Sequence, residues 1–268
     1  ASIVQADART AERAAYLAKA DLLSGVVGEF PKLQGVMGSK YAVVSGEDPR
    51  VAAAIAEHYL PRFAGDALPG SLEGMCVGIA DRIDTITGCF AVGLIPSGSE
   101  DPYGLRRQSV AILTMLFDRG LHLSLAAIVA EACKGHGLKK SEQARIESEA
   151  LEFLRQRLAG MLTTEGLRSD VVDAALAGPF DDPLVAREKV RALDAWRTSD
   201  DYRPLVTALK RAGNIVPKDF AGTVRKGLLK EDRHDFNFTI RTLEGDKMIG
   251  LIGLSIPNWN HADAWVGI

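Results

Sequence analysis

Cysteine is scarce in this sequence, and the cysteines present do not form patterns that hold metals or disulfides. There are three in 268 residues, Cys76, Cys89 and Cys133, an odd number without a C-x-x-C pair. This argues against a cysteine-rich metal site and against a disulfide framework. Because two of them lie in apolar helical stretches, we expect buried, reduced thiols and a reducing cytoplasm.

Long apolar runs, strong net charge and catalytic motifs are missing as well. No stretch of about 18 uncharged apolar residues occurs, and the N-terminus has no apolar signal segment, so we expect no membrane association. The net charge of −3 gives the whole molecule no attraction for nucleic acid. Any RNA contact therefore needs a local basic patch. We find no glycine-rich nucleotide loop and no catalytic triad, which predicts a chain without catalytic activity of its own.

Helical periodicity dominates what is present, in a chain that is 47 % hydrophobic and 25 % charged. The spacing predicts a mainly all-α fold with these helices: Ala8–Val27, Arg50–Tyr59 with Pro49 at its first position, Leu72–Val92, a helix ending near Arg119, Leu121–Ala132, Ser141–Leu162 and Ser169–Ala177. The helix over 72–92 is apolar nearly all round and should be central. Gly35 and Gly38 predict close helix approach, and His136, between two glycines, should be a surface turn residue.

The last forty residues follow a different pattern. Phe236, Phe238 and Ile240 alternate with polar residues, and an apolar run covers 248–256. Alternation with a period of two is typical of strands. The pattern predicts two strands, with a third at 264–268.

Several polar residues keep the spacing of a known metal-binding helical core. The segments are L-A-K-A-D-L (17–22), E-H-Y-L-P-R-F-A-G-D-A-L-P (57–69) and I-A-D-R-I-D (79–84). They resemble the HD-type phosphohydrolase core, with Asp21 in the His-Asp pair, His58, and Asp81 or Asp84 as the last carboxylate. Ala20 replaces the histidine of the pair, so we predict an HD-like domain that has lost its metal.

Each of these vestigial positions has a structural alternative. His58 fits a half-buried histidine at a helix end. Asp81 and Asp84 fit capping or ion-pairing carboxylates on one helix flank. A working metal-dependent phosphohydrolase that uses Asp21, His58 and Asp81, with or without Asp84, remains an alternative function, as does a non-catalytic helical interaction module.

Three longer stretches of the sequence resemble one protein family. They are L-A-K-A-D-L-L-S-G-V-V-G-E-F-P-K-L-Q-G-V-M-G-S-K-Y-A (17–42), Y-L-P-R-F-A-G-D-A-L-P (59–69) and G-L-I-P-S-G-S-E-D-P-Y-G-L-R-R (93–107). Together they resemble the beta subunit of bacterial heterotetrameric glycyl-tRNA synthetase. The resemblance extends through about residue 226, and the start without methionine suggests a piece of a longer protein.

The resemblance implies partners and a division of labour. The alpha subunit would use ATP and Mg²⁺ to activate glycine, whereas the beta subunit would bind tRNA-Gly. No cofactor is expected on this chain, and neither DNA nor a membrane is expected as a partner.

A second helical segment resembles an anticodon-binding domain. The stretches A-R-E-K-V-R-A-L-D-A-W-R (186–197) and L-V-T-A-L-K-R-A-G-N-I-V (205–216) resemble the all-helical, DALR-like bundle of such synthetases. Residues 181–230 hold eleven Lys/Arg against seven Asp/Glu, a local charge of +4. The predicted domains are 1–138 (HD-like), 139–230 (anticodon-binding-like) and 231–268, which resembles the early strands of a GNAT-type N-acetyltransferase without its cofactor loop.

The predicted tRNA-binding residues are cationic. They are Arg106, Arg107, Arg197, Arg203, Lys210 and Arg211. Arginine and aromatic side chains bind phosphates and unstacked bases, so Trp196 and Tyr202 are added as stacking candidates. The alternatives are solvated or salt-bridged arginines and a core-packing Trp196.

Overall fold

Helices make up most of the chain that the structure describes. A computed structural model describes residues 5–178, 180–204 and 206–207, and the backbone of 235–241, 248–258 and 263–267. The helices are α1 (Ala8–Leu17), α2 (Gly25–Glu29), α3 (Val36–Val44), α4 (Pro49–Glu57), α5 (Leu72–Ala91), α6 (Leu105–Arg119), α7 (Leu125–Gly135), α8 (Lys140–Thr164), α9 (Ser169–Leu176) and α10 (Pro183–Trp196). The mainly all-α prediction is confirmed. None of these helices is long and apolar enough to cross a membrane.

Helix α5 is the centre of the main core. Ser71 caps it by accepting a hydrogen bond from the Gly74 amide at 3.0 Å. Met75, Ile79, Ile83, Ile86 and Phe90 of α5 are buried against α6, α7 and α8. This confirms the central position predicted from an apolar pattern that runs nearly all round the helix.

Helix α8 contributes to two apolar clusters. Its first half places Ile146, Ala150, Phe153 and Leu154 in the α5 core, where the rings of Phe153 and Phe90 meet edge to face. Its second half packs with α9 and α10. Helices on both sides of residue 139 thus share one core, and residues 1–194 and 195–268 form two compact units. The predicted domain boundaries stay predictions.

A layer of small residues brings α1, α3 and α4 together. The buried residues there include Ala14, Ala42, Ala52 and Ala54. A Cβ atom added at Gly38 would lie 2.9 Å from Ile55 Cγ2, and one at Gly35, where φ is +80°, would lie 2.4 Å from the Tyr59 ring. The close approach predicted from these glycines is therefore confirmed.

The single helix predicted over 8–27 is wrong. Helix α1 ends at Leu17, Lys19 takes a left-handed conformation with φ +66°, and a 3₁₀ turn spans Ala20–Leu23 before α2. The break turns Asp21 inward, and Ser24 then caps α2 by accepting from the Val27 amide. Periodicity misses this break because the residues on both sides keep helical spacing.

The other helices lie close to their predicted bounds. Helix α4 begins at Pro49 as expected. Helix α7 begins at Leu125 rather than Leu121, because Ser124 accepts a hydrogen bond from the Ala127 amide and so fixes the N-terminus.

The last part of the chain forms an antiparallel sheet in the order β1 (Asp235–Arg241), β2 (Met248–Asn258), β3 (Asp263–Gly267). Phe236 lies opposite Leu254 and Phe238 opposite Ile252 in the register. The three predicted strands are confirmed. The resemblance to an acetyltransferase stays a prediction.

Candidate functional site

Asp21 is a buried anchor for the α3 N-terminus. Its Oδ2 accepts hydrogen bonds from the amides of Gly35 at 2.7 Å and Gly38 at 2.9 Å. Since the first amides of a helix have no partner within the helix, a carboxylate placed there satisfies them and is favoured by the helix dipole. Asp21 thus has a structural role that does not require a metal ion.

His58 lies at the end of α4 and is fully buried, so the predicted half-buried position is wrong. Its Nδ1 lies 2.6 Å from the carbonyl oxygen of Ile55 and donates to it, while Nε2 is buried without a hydrogen-bond partner in the described residues. Its ring lies 3.9 Å from that of Tyr59, centroid to centroid. Burial lowers the pKa of His58 below its ordinary value, which favours the neutral ring.

Asp81 and Asp84 point to different neighbours. Asp81 forms an ion pair with Lys19. Asp84 is 66 % exposed at its side chain and lies 3.6 Å from Nε2 of His136. Asp81 thus takes part in ion pairing, the alternative that the sequence left open, whereas Asp84 is an exposed carboxylate beside a histidine ring.

His136 lies in a turn, as predicted, but its side chain is mostly buried rather than at the surface. Its side chain is 20 % exposed, and its Nε2 lies 2.9 Å from the Thr87 hydroxyl on α5. Gly88 makes this packing possible, since a Cβ there would lie 3.2 Å from His136 Cε1. The glycines on either side of His136 suggested an exposed turn. The ring instead packs closely against Gly88 of α5.

The residues at the HD-like positions do not fit a metal ion. Asp21 accepts from two amides, Asp81 pairs with an ammonium group, and Ala20 offers no ligand. Within the part of the chain that the structure describes, no three His, Cys, Asp or Glu side chains are grouped so that they could hold one. A cation next to Lys19 would also be repelled by its charge.

Arg82 is a residue that the sequence analysis missed. It is only 6 % exposed although it carries a full charge. Its guanidinium donates to five backbone carbonyls at 2.8–3.2 Å, those of His58, Tyr59, Leu60, Pro61 and Gly78. Burial lowers its pKa, and the nearby Asp81 charge raises it. Arg82 thereby fixes the segment that follows α4, and no sequence pattern indicates this role.

A cleft of about 420 Å³ opens beside these residues. Its charged or titratable lining side chains are Lys19, His58, Tyr59, Arg62, Asp81, Arg82 and Arg107. Four cations thus face one carboxylate. The structure brings His58 and Asp81 of the HD-like set to this cleft, whereas Asp84 does not line it.

Arg106 and Arg107 lie in the first turn of α6. The carboxylate of Asp101 accepts from the Leu105 and Arg106 amides at 2.7 and 3.0 Å, so Asp101 satisfies this helix end. Among the described residues, no carboxylate oxygen lies within 4.0 Å of either guanidinium. Arg145, in contrast, is paired with Glu149 at 2.7 Å.

The second set of tRNA candidates lies after α10. Trp196 is 37 % exposed, and its ring meets that of Tyr202 edge to face at 5.2 Å. Arg197 is half-buried and Arg203 is exposed. Lys210 and Arg211 lie outside the described residues. Arg106 and Arg107 belong to the first compact unit, and Arg197 and Arg203 to the second.

The family model and the similar proteins point to the same family. The family model for the glycyl-tRNA synthetase beta subunit matches residues 1–177. The glycine–tRNA ligase beta subunit of Syntrophotalea carbinolica is 48 % identical over 225 residues, which cover 82 % of this chain and 32 % of that protein. That of Geobacter sulfurreducens is 43 % identical over 254 residues, covering 91 % of this chain and 37 % of the relative.

A third relative agrees. The glycine–tRNA ligase beta subunit of Trichlorobacter lovleyi is 44 % identical over 223 residues, or 83 % of this chain and 32 % of the relative. The chain therefore spans about a third of the length of these curated relatives. A family model that covers most of the helical unit and relatives at this identity show that the chain belongs to the glycyl-tRNA synthetase beta subunit family.

Proposed function

We propose that this chain is the tRNA-binding portion of a glycine–tRNA ligase beta subunit and supports ATP-dependent attachment of glycine to tRNA-Gly by an alpha subunit. The observation that carries this proposal is the similarity to relatives named glycine–tRNA ligase beta subunit over most of the chain. In this proposal the alpha subunit uses ATP and Mg²⁺, the chain holds no cofactor, and the assembly works in the cytoplasm.

The charges of α6 support a contact with RNA phosphate. Arg106 and Arg107 stand where the positive end of the helix dipole lies, and no described carboxylate pairs with them. Asp101 already satisfies the first amides of α6, so the two guanidinium groups themselves are the donors that face a phosphate. Arginine also matches phosphate geometry through two parallel hydrogen bonds.

The segment after α10 supports a contact with unpaired bases. Arg203 is exposed, and Trp196 presents part of its indole beside Tyr202. Unstacked anticodon bases bind to aromatic faces and guanidinium planes. The local charge of +4 over residues 181–230 adds attraction for the phosphates.

Filter binding tests this function. The chain is titrated with tRNA-Gly and with a non-cognate tRNA over a salt series, and circular dichroism checks that the sample is helical. We expect preference for tRNA-Gly and an affinity that falls with salt. The variant with Arg106→Gln and Arg107→Gln should reduce the slope of log K against log salt by about 2, since each lost phosphate contact removes about 1.

The matched control is Arg145→Gln, which removes an arginine already paired with Glu149. It should leave both affinity and salt slope unchanged. A folded chain that binds both tRNAs equally, or binds neither at low salt, would overturn the proposal.

A further inference from the structure

The cleft beside α4 and α5 carries an excess of positive charge. Among the described residues, no carboxylate oxygen lies within 4.0 Å of the guanidinium nitrogens of Arg62, Arg82 or Arg107. The one carboxylate that lines the cleft, Asp81, pairs with Lys19. Three positive charges are therefore left over in a concave site, where charges are screened less than on an open surface.

The cations of the cleft are held in place. The four terminal N–H groups of Arg82 are all used on backbone carbonyls, so its charge acts at a fixed position. Arg62 donates to the carbonyl of Gln34 at 3.2 Å and lies over the Tyr59 ring at 5.9 Å. Lys19 has two ammonium hydrogens beyond the one that Asp81 accepts. Lys19 and Arg62 thus keep donors for a ligand.

His58 is the independent sign of a ligand. It lines the cleft, is fully buried, and leaves Nε2 without a hydrogen-bond partner. Buried polar side-chain atoms nearly always have a partner, so this nitrogen calls for one. Because Nδ1 already donates to the Ile55 carbonyl, a proton at Nε2 would make the ring a cationic donor for an anion.

We propose that this cleft binds a phosphate ester group, with Lys19, Arg62 and His58 as contacting groups and Arg82 as a fixed charge behind them. A cleft of about 420 Å³ lies in the size range of small-molecule sites. Binding takes up one proton at His58 Nε2, because a phosphate oxygen can only accept a hydrogen bond from that nitrogen when it is protonated. Asp81 opposes the bound anion.

The groups that face His58 set the pH dependence. Asp81 on α5 favours the protonated ring, whereas Lys19 and Arg82 disfavour it. Tyr59 stacks on the ring, and Arg62 and Arg107 also line the cleft. A bound dianion shifts this balance toward protonation, so binding strengthens as pH falls.

Titration calorimetry of the whole chain, without added metal, tests the site. The probes are inorganic phosphate, adenosine monophosphate and sulfate, and sulfate is a dianion with no proton of its own at these pH values. We expect one saturable site for each. For sulfate we expect affinity to rise between pH 7.5 and 6, by at most about tenfold per pH unit, as uptake of one proton requires. His58→Gln should keep a donor but remove the pH dependence.

Variants of the cleft separate the site from general surface charge. Lys19→Met and Arg62→Gln should each weaken binding about fivefold or more, the factor for one unit charge at 4 Å in water, and Asp81→Asn should tighten it about fivefold. The control is Lys32→Gln, an exposed lysine next to the lining residue Pro31 that does not itself line the cleft. It should change nothing. A higher anion affinity in Asp81→Asn cannot result from misfolding of the variant.

Two sources carry this chemistry, a free phosphate ester and a phosphate of bound RNA. If saturating tRNA leaves adenosine monophosphate binding intact, the ligand is a free molecule, and if tRNA displaces it, the group comes from RNA. Either result supports a phosphate site. No saturable binding by a folded chain, or binding that Lys19→Met, Arg62→Gln and Asp81→Asn leave unchanged, would overturn it. If the chain shows no preference for tRNA-Gly, only the proposed function is contradicted. The phosphate site is tested separately, because its measurement is the binding of small anions.

Discussion

Lys19 and Asp81 form an ion pair although 62 positions separate them in the sequence. Lys19 reaches Asp81 because the chain leaves α1 in a left-handed conformation, with φ +66° at Lys19 itself. The ammonium group thus occupies the neighbourhood of the carboxylate that an HD-type site would offer to a metal. This relationship is a physical reason, beyond the missing histidine at Ala20, for the prediction that this site holds no metal.

Divalent metals should therefore leave the chain unaffected. We expect the melting temperature to be the same with Mn²⁺ and with a chelator, because a cation near Asp81 meets the Lys19 charge. Hydrolysis of a generic phosphate ester should stay at background. A metal-dependent rise in melting temperature that Asp81→Asn removes would show that the carboxylate still serves as a ligand.

Removing Asp21 should cost stability rather than activity. Asp21→Ala leaves the buried amides of Gly35 and Gly38 without an acceptor, which should lower the free energy of unfolding by about 2–3 kcal/mol. Asp84→Ala is the control, because that side chain is 66 % exposed, and should change it by less than about 0.5 kcal/mol. Urea unfolding followed by circular dichroism measures both. Equal effects would show that Asp21 does not anchor α3.

Arg82 should be among the most sensitive positions for stability. Arg82→Met keeps much of the volume but leaves five carbonyls without their donor, so we expect a loss of about 3 kcal/mol or more. Arg82→Lys should recover part of the loss because an ammonium has three donors. Arg106→Met serves as control, since that side chain donates to no described acceptor. If Arg82→Met unfolds at the wild-type urea concentration, the carbonyl cluster does not need the guanidinium.

Stability should fall in mild acid because of His58. Burial lowers the pKa of this ring, so the folded chain resists a proton that the unfolded chain takes up below its ordinary pKa of about 6.5. The contribution is complete above pH about 6.5 and is lost as pH falls toward the folded pKa, with a slope of at most about 1.4 kcal/mol per pH unit.

Urea unfolding at pH 7.5, 6.5 and 5.5 measures this slope. His58→Gln should show a flatter dependence. A wild-type slope that His58→Gln does not alter would rule out a buried neutral ring at this position.

The sequence predicted the helices and strands better than it predicted how side chains pack between them. Helix α5 and the strands followed from apolar periodicity, and Pro49 marked the start of α4, because these signals are local. The inward position of Asp21 and the packing of His136 involve residues far away in the chain, namely Gly38 and Gly88.

In the candidate site, too, the sequence indicated individual residues but not their contacts. Asp21, His58 and Asp81 were found from their spacing, but their surroundings were not. Arg82 was missed because a buried arginine bonded to carbonyls leaves no pattern in the sequence. Only the fold shows that Lys19 and Arg62 line the same cleft as His58.

Glycylation by a chimeric enzyme tests the central claim most directly. The matching third of the Syntrophotalea carbinolica beta subunit, to which this chain is 48 % identical, is replaced by this chain and combined with the alpha subunit of that organism. The account predicts attachment of glycine to tRNA-Gly well above the level of the alpha subunit alone, with loss when Arg106 and Arg107 are changed to glutamine. A chimera that is folded and bound to the alpha subunit, yet glycylates no faster than the alpha subunit alone, would contradict it.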